Sequence, residues 1–193
     1  MTNNEIELEV LKILDKYVQR GGSHKQLLKI MQAEGIKFKE VSVSNDNFLG
    51  ALTFGKNNNP YIMVNQSINN TGRRNFTIAH ELGHYFLNHR LLSPVFLCQD
   101  SQINEDRVSE ILLEREANYF ATCLLMPEQK IKSAFLAMLR YSKIIKTKTF
   151  LIVNNKTYGS WCKIKNDLMK RYGVSEAALR YRLINLRLAE FEF

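Results

Sequence analysis

Two histidines four residues apart, with a glutamate directly after the first, stand at His80-Glu81-Leu82-Gly83-His84. On an α-helix a separation of four is a rotation of about 40°, so both imidazoles leave one face, one turn apart. Two neutral imidazoles at that spacing supply half of a tetrahedral zinc site. Glu81 stands where a carboxylate can serve as base toward water at the metal. The chain has 4 histidines among 193 residues, and chance placement of this motif in so histidine-poor a sequence is below about 1%. The competing explanation is a plain helix that happens to carry two histidines. It does not account for the apolar stripe they border, where Phe76, Ala79, Gly83, Phe86 and Leu87 recur at three- and four-residue spacing. Gly83 costs about 1 kcal/mol relative to alanine inside a helix, which points to a close approach by another element.

A third ligand must come from elsewhere, and residues 104–125 form a long helical run with three glutamates in reach. Glu114 shares a face with Ala117, Asn118, Ala121 and Leu125, small and apolar residues suited to close packing on another helix. Glu116 lies about 200° away around the helix, and Glu110 lies a turn further toward solvent. Glu114 is therefore the expected ligand. Asn118, one turn later, is placed to accept the free N–H of a ligating imidazole and fix its tautomer. His89, five residues beyond His84, points about 140° away from it on a continuous helix and is expected to be structural or solvent-facing. It also misses the three-histidine metzincin spacing. Tyr61, Tyr85, Tyr119 and Tyr158 are candidate donors for a transition-state oxyanion, and nothing in the sequence chooses among them.

The positioning elements read in order. Residues 5–19 form an amphipathic helix with Val10, Leu11, Leu14, Tyr17 and Val18 inward, stopped at Gly21-Gly22. Ser23 caps a second helix through Leu27, Leu28 and Met31 that ends near Gly35. Three short strands follow within 36–43, 48–54 and 61–64, joined by turns at 45–47 and 55–60. Turns of this length predict an antiparallel sheet leading into the histidine helix, which starts at Asn70-Thr71-Gly72. Residues 128–140 are helical again. Residues 147–153 and 157–161 read as a β-hairpin. A helix from 164 to 172 then stops at Gly173, and Ser175 caps a last helix, with Val174 and Leu179 in the two positions of a hydrophobic staple.

Composition bounds the rest. At 193 residues and 45% apolar content the chain supports a sizeable core. No apolar run approaches a membrane span, and residues 1–5 do not resemble a signal peptide, so a cytoplasmic protein with no membrane partner is expected. Cys98, Cys123 and Cys162 are odd in number and lack C-x-x-C spacing, as reduced structural thiols do. Residues 1–127 carry 13 Lys+Arg against 14 Asp+Glu, whereas 128–193 carry 14 against 5, so the basic excess lies wholly in the C-terminal third. Such a bias suits an acidic partner, a nucleic acid or a solvated surface.

Two separated blocks, residues 76–84 and Glu114-Arg115-Glu116-Ala117-Asn118-Tyr119-Phe120-Ala121 with Leu124-Leu125-Met126-Pro127, together resemble the ImmA/IrrE family of metallopeptidases. The resemblance covers roughly 36–130. It implies a gluzincin-like Zn²⁺ site, with Mn²⁺ as the alternative ion, formed by His80, His84 and Glu114 with Glu81 as base. It also implies a bacterial, phage or mobile-element origin and a helix-turn-helix transcriptional repressor as the protein cleaved. The expected architecture is α+β, with a small antiparallel sheet packed on the active-site helix and a second ligand helix. A zinc peptidase domain spans 1–140. A basic extension spans 141–193, and its helix-turn-helix-like pair at 164–188 resembles the tail of many family members. Leu179, Leu183 and Leu186, with Tyr181 and Ile184, give the last helix more apolar width than a free recognition helix needs. The pair is therefore expected to pack on the core and bind DNA weakly if at all, leaving Arg180, Arg182 and Arg187 as surface charge. Two readings from other classes stand beside the peptidase: a non-proteolytic metal-binding toxin or regulatory partner of a repressor, and a DNA-binding regulator.

Overall fold

The computed structural model describes residues 1–17, 26–43, 48–89, 105–141 (side chains from 110) and 150–192. The expected features at Val18, Gly21-Gly22, Ser23, 45–47 and Cys98 lie outside these residues. Two helices, α1 (Asn3–Tyr17) and α2 (Leu27–Ala33), precede three strands: β1 (Lys37–Val41), β2 (Gly50–Phe54) and β3 (Pro60–Asn65). The histidine helix α3 (Thr71–Phe86) is followed by α4 (Glu105–Leu125) and α5 (Glu128–Tyr141). Then come β4 (Leu151–Val153), α6 (Tyr158–Tyr172), α7 (Glu176–Asn185) and β5 (Ala189–Phe191). The class is α+β, as expected.

Helix α1 buries Ile6, Val10, Ile13 and Leu14 against α4, while Leu11, expected inside, is exposed. In α2, Ile30 rather than Leu28 is buried. The three-stranded sheet has order β1-β3-β2. β2 and β3 form an antiparallel hairpin, with Leu52 opposite Ile62. Its loop turns through a short 3-10 segment in which Asn57 and Asn58 take left-handed conformations that asparagine tolerates. β1 pairs with β3 in parallel, Phe38 opposite Ile62, so the sheet is mixed where an all-antiparallel one is expected. The reason is burial. β3 carries fully buried Ile62 and Val64 and takes the centre, which leaves the first strand only its far side and the same direction.

Helix α3 begins where expected, with the Asn70 side chain accepting the Arg73 N–H at 2.9 Å. It packs along α4 at Gly83, where an added Cβ would stand 3.1 Å from the Ala117 Cα and 3.2 Å from the Phe120 ring. The close approach inferred from a glycine inside a helix is thus between the histidine helix and the helix that carries Glu114.

The hairpin expected across 147–161 does not form over its described part. Residues 151–153 pair in parallel with β5, Leu151 opposite Ala189. The second half is helix: Asn154 Oδ1 accepts the Lys156 N–H at 3.1 Å, and the turn runs straight into α6. Trp161, Ile164, Leu168 and Tyr172, all buried, mark that helix at a spacing the alternation of 157–161 hides. Gly173 (φ 62°) ends α6, and Ser175 Oγ caps α7 by accepting the Ala178 N–H at 3.3 Å, with Val174 and Leu179 buried as the staple requires. This turn sits on the first turn of α3. A Cβ on Gly72 would fall 2.4 Å from the Val174 carbonyl carbon, and Asn75 Nδ2 donates to the Gly173 carbonyl at 2.8 Å.

Arg182 departs most from expectation. It is wholly buried, not surface charge. Its Nε donates to the Met126 carbonyl at 3.0 Å, and its Nη1 reaches Glu7 Oε1 at 2.7 Å and Cys123 Sγ at 3.2 Å. Tyr119 also donates to Glu7, at 3.1 Å. One buried cation therefore joins α1, α4 and α7. No helix among the described residues is long and apolar enough to cross a membrane.

Candidate metal centre

Helix α3 presents His80 and His84 on one face, and the close packing at Gly83 brings α4 against that face. His80 Nε2 lies 3.1 Å from Glu114 Oε2, His84 Nε2 lies 3.2 Å from Glu114 Oε1, and the two Nε2 atoms are 2.9 Å apart. Donor atoms of the three residues all fall within 4.8 Å of one another. Around one zinc ion with bonds of 2.0–2.1 Å, tetrahedral ligands stand about 3.3 Å apart, so the cluster fits a single small cation with little adjustment. Glu110, the rival one turn earlier, is exposed.

The electrostatics agree with a cation site. Burial alone would raise the Glu114 carboxyl, but hydrogen bonds from His80 and His84 outweigh it and hold the group far below the ordinary carboxylate range. For His80, burial acts to lower the pKa, and the Glu114 hydrogen bond with the Glu81 charge reverses this to a net rise. Both shifts express the same pairing, an anionic carboxylate held against the imidazoles.

Glu81 is buried and is not one of the three clustered donors. Burial pushes its pKa up, against the lowering pull of His80, His84 and the Leu52 backbone N–H. Its Oε2 is buried with no hydrogen-bond partner among the described residues. An orphaned carboxylate oxygen beside three converging ligand atoms is what a base toward incoming water requires. Gly50 lets β2 approach: a Cβ there would meet Thr77 Cγ2 at 2.6 Å and Glu81 Oε1 at 3.4 Å.

Asn118 stands where expected, its Oδ1 3.1 Å from His80 Nδ1. His89 does not. Helix α3 stops at Phe86, Asn88 turns left-handed (φ 57°), and the chain folds back so that His89 is buried with its Nδ1 3.0 Å from His84 Nδ1. Its Nε2 lies 3.2 Å from Glu116 Oε2, and Met1 N contacts the other oxygen of Glu116. Burial, with the neighbouring His84, keeps the His89 pKa low despite Glu116. Asn88, a residue tolerant of positive φ, is the one sequence signal for this reversal.

The four tyrosines are placed elsewhere. The Tyr85 and Tyr119 hydroxyls donate to Glu34 and Glu7, Tyr61 accepts from Lys37, and Tyr158 lies with Asn155, Glu176 and Arg180. Tyr181, not among them, lines a cavity of about 640 Å³ with Asn118, Phe76, Ala178, Arg73 and Arg115.

The family model of the IrrE N-terminal-like domain, Peptidase_M78, matches residues 32–184. The chain belongs to this metallopeptidase family. It is 30% identical over 95 residues to metallopeptidase ImmA of Bacillus subtilis (strain 168), an alignment covering 49% of this chain and 51% of that protein. Its fold resembles a Mycobacterium tuberculosis transcriptional regulator with a TM-score of 0.61 at 20% identity, over 94% of this chain and 48% of the other. The chain thus spans about half the length of each relative. Membership implies a metal ion, and the close cluster of two imidazoles and a carboxylate fits one.

Proposed function

We propose that this protein is a zinc-dependent metallo-endopeptidase, acting in the cytoplasm on a regulatory protein, with a helix-turn-helix repressor as the favoured substrate. The observation that carries the reading is the convergence of His80 Nε2, His84 Nε2 and Glu114, with Glu81 Oε2 buried and without a hydrogen-bond partner among the described residues. His80, His84 and Glu114 would hold the ion. When bound, Zn²⁺ supplies Lewis-acid polarisation of the scissile carbonyl and lowers the pKa of water toward 7. Asn118 keeps the His80 proton on Nδ1 and so leaves Nε2 free as a ligand. Glu81 takes the attacking water's proton as oxygen bonds to the carbonyl carbon. It then delivers that proton to the amide nitrogen as the C–N bond breaks. Its raised pKa, caused by burial, suits a group that must give the proton back.

β3 is paired on both sides, so β2, whose Leu52 N–H donates to Glu81, is the strand best suited to hold an extended substrate by edge pairing. The cavity beside Asn118 would take a bulky side chain, with Arg73 and Arg115 suited to acidic neighbours. The basic extension 141–193 belongs to the same working unit in this reading, supported by the Asn75–Gly173 contact and buried Arg182. Burial of Leu179, Arg182 and Leu183 also speaks against α7 as a free DNA-reading helix.

The test uses zinc-loaded wild type and Glu81→Gln with a repressor encoded beside the gene. The variant should bind zinc as wild type does and lose at least about 100-fold in cleavage rate. Equal cleavage by both would overturn the mechanism. Repressor release without peptide-bond cleavage would favour the non-proteolytic partner. Elemental analysis of protein purified without added metal separates Zn²⁺ from Mn²⁺.

A further inference from the structure

Resting on the ligand set proposed above, we infer that His89 and Glu116 are positioning residues: together they fix the tautomer, orientation and basicity of His84 as a metal ligand. His89 is 3% exposed and has no part in the chemistry just described. Its ring meets that of His84 edge-on, with centroids 5.1 Å apart and planes at 71°.

Proton accounting leaves one arrangement. A metal taken at His84 Nε2 requires that nitrogen bare, so the proton sits on Nδ1. That N–H is 3.0 Å from His89 Nδ1, which must therefore be an unprotonated acceptor. The His89 proton then sits on Nε2, 3.2 Å from Glu116 Oε2, and the carboxylate accepts it. Each nitrogen in the row then has a single role, as ligand, donor or acceptor. The opposite tautomer of His89 would set two N–H groups against each other at 3.0 Å and leave the Glu116 oxygen without a donor.

The two ligating histidines are thus oriented differently. His80 is held by a neutral amide, Asn118, at 3.1 Å. His84 is held by a second imidazole backed by a carboxylate, which pulls the Nδ1 proton outward and makes Nε2 the stronger donor. Glu114 and Glu116 lie about 200° apart on α4, yet both serve one centre, the first directly and the second through His89. The chain reversal at Asn88 makes this geometry, because an α3 continued past Phe86 would carry His89 away.

Full-length protein carrying His89→Phe, His89→Asn, Glu116→Gln or Glu114→Ala is titrated with Zn²⁺ against a chelator of known affinity. Thermal melts of the metal-free proteins report folding. His89→Phe, close in shape but without an acceptor, should bind zinc about 10- to 100-fold more weakly. In His89→Asn the Oδ1 falls near the lost Nδ1, so affinity should return to within a few-fold of wild type, which a merely structural role would not produce. Glu116→Gln should lose less than His89→Phe. Unchanged affinity in His89→Phe, or no rescue in His89→Asn, overturns the inference. Should His89→Phe fail to fold, ¹⁵N–¹H correlation of the zinc-loaded wild type decides: protonation of His84 at Nδ1 and His89 at Nε2 is expected, and His89 protonated at Nδ1 refutes it. Wild-type affinity in Glu114→Ala would sink the ligand set itself, whereas loss there with none in His89→Phe sinks the positioning role alone.

Discussion

At the scale of single residues, the choice among glutamates on α4 is sharp. Glu114 lies within hydrogen-bond distance of both Nε2 atoms, while Glu110 is exposed one turn away. Glu114→Ala should lose bound metal on dialysis, falling by at least about 100-fold in affinity because a three-ligand site becomes a two-ligand one. Glu110→Ala should keep it. Metal-to-protein ratios by elemental analysis check both, and retention in Glu114→Ala would remove the third ligand from the account. The convergence of His80, His84 and Glu114 and the Asn118 contact were readable in the sequence, because helical spacing puts each pair on one face of its helix. His89 was not. A helix continuing past Phe86 would carry it about 140° from His84, and one left-handed residue, Asn88, reverses its direction.

At the scale of elements, the site depends on how closely α4 can lie on α3. Gly83 is the pivot of that contact, since a Cβ there would stand 3.1 Å from the Ala117 Cα and 3.2 Å from its carbonyl oxygen. Backbone atoms cannot rotate aside. Gly83→Val should therefore push α4 outward and with it Glu114, one turn before Ala117. Metal affinity should fall by about tenfold or more, while Gly83→Ala, offset by about 1 kcal/mol of helix propensity, should do less harm. Chelator competition on both variants measures this, and wild-type affinity in Gly83→Val would show that the helix spacing is not what holds the ligands. This contact was legible because a glycine inside a helix asks for an explanation. The sheet was legible as three strands but not in its directions, which follow from β3 taking the centre. The segment 147–161 misled for a related reason. Alternation and β-prone residues predicted two strands, but the partner of β4 is β5, far along the chain, and the buried spacing from Trp161 onward is helical.

At the scale of the whole molecule, the first and last thirds of the chain meet at one buried ion pair. Arg182 and Glu7 are separated by 175 residues, and for that reason sequence periodicity placed Arg182 on the surface with its neighbours. The side chains are 0% and 19% exposed. Burial by itself would raise the Glu7 carboxyl, but the hydrogen bond and charge of Arg182 prevail and leave it lowered. A depressed carboxylate stabilises the fold above its unfolded value, about 4.3, and that contribution is lost as pH falls through the folded value. Breaking a buried pair by removing one partner costs about 3–5 kcal/mol, because the other charge is stranded. Glu7→Gln should therefore lower Tm by about 5 °C or more at pH 7. The gap to wild type should narrow steadily below about pH 4, as the wild-type carboxyl itself becomes neutral. Arg182→Met should cost less than Glu7→Gln. It keeps the apolar stem, removes Nη2, which is buried without a partner among the described residues, and leaves Glu7 with the Tyr119 hydroxyl and access to water. Thermal melts from pH 7 to pH 3 decide the point: a gap independent of pH, or a larger loss in Arg182→Met, would mean that packing around α7 rather than the ion pair ties the two ends of the chain together.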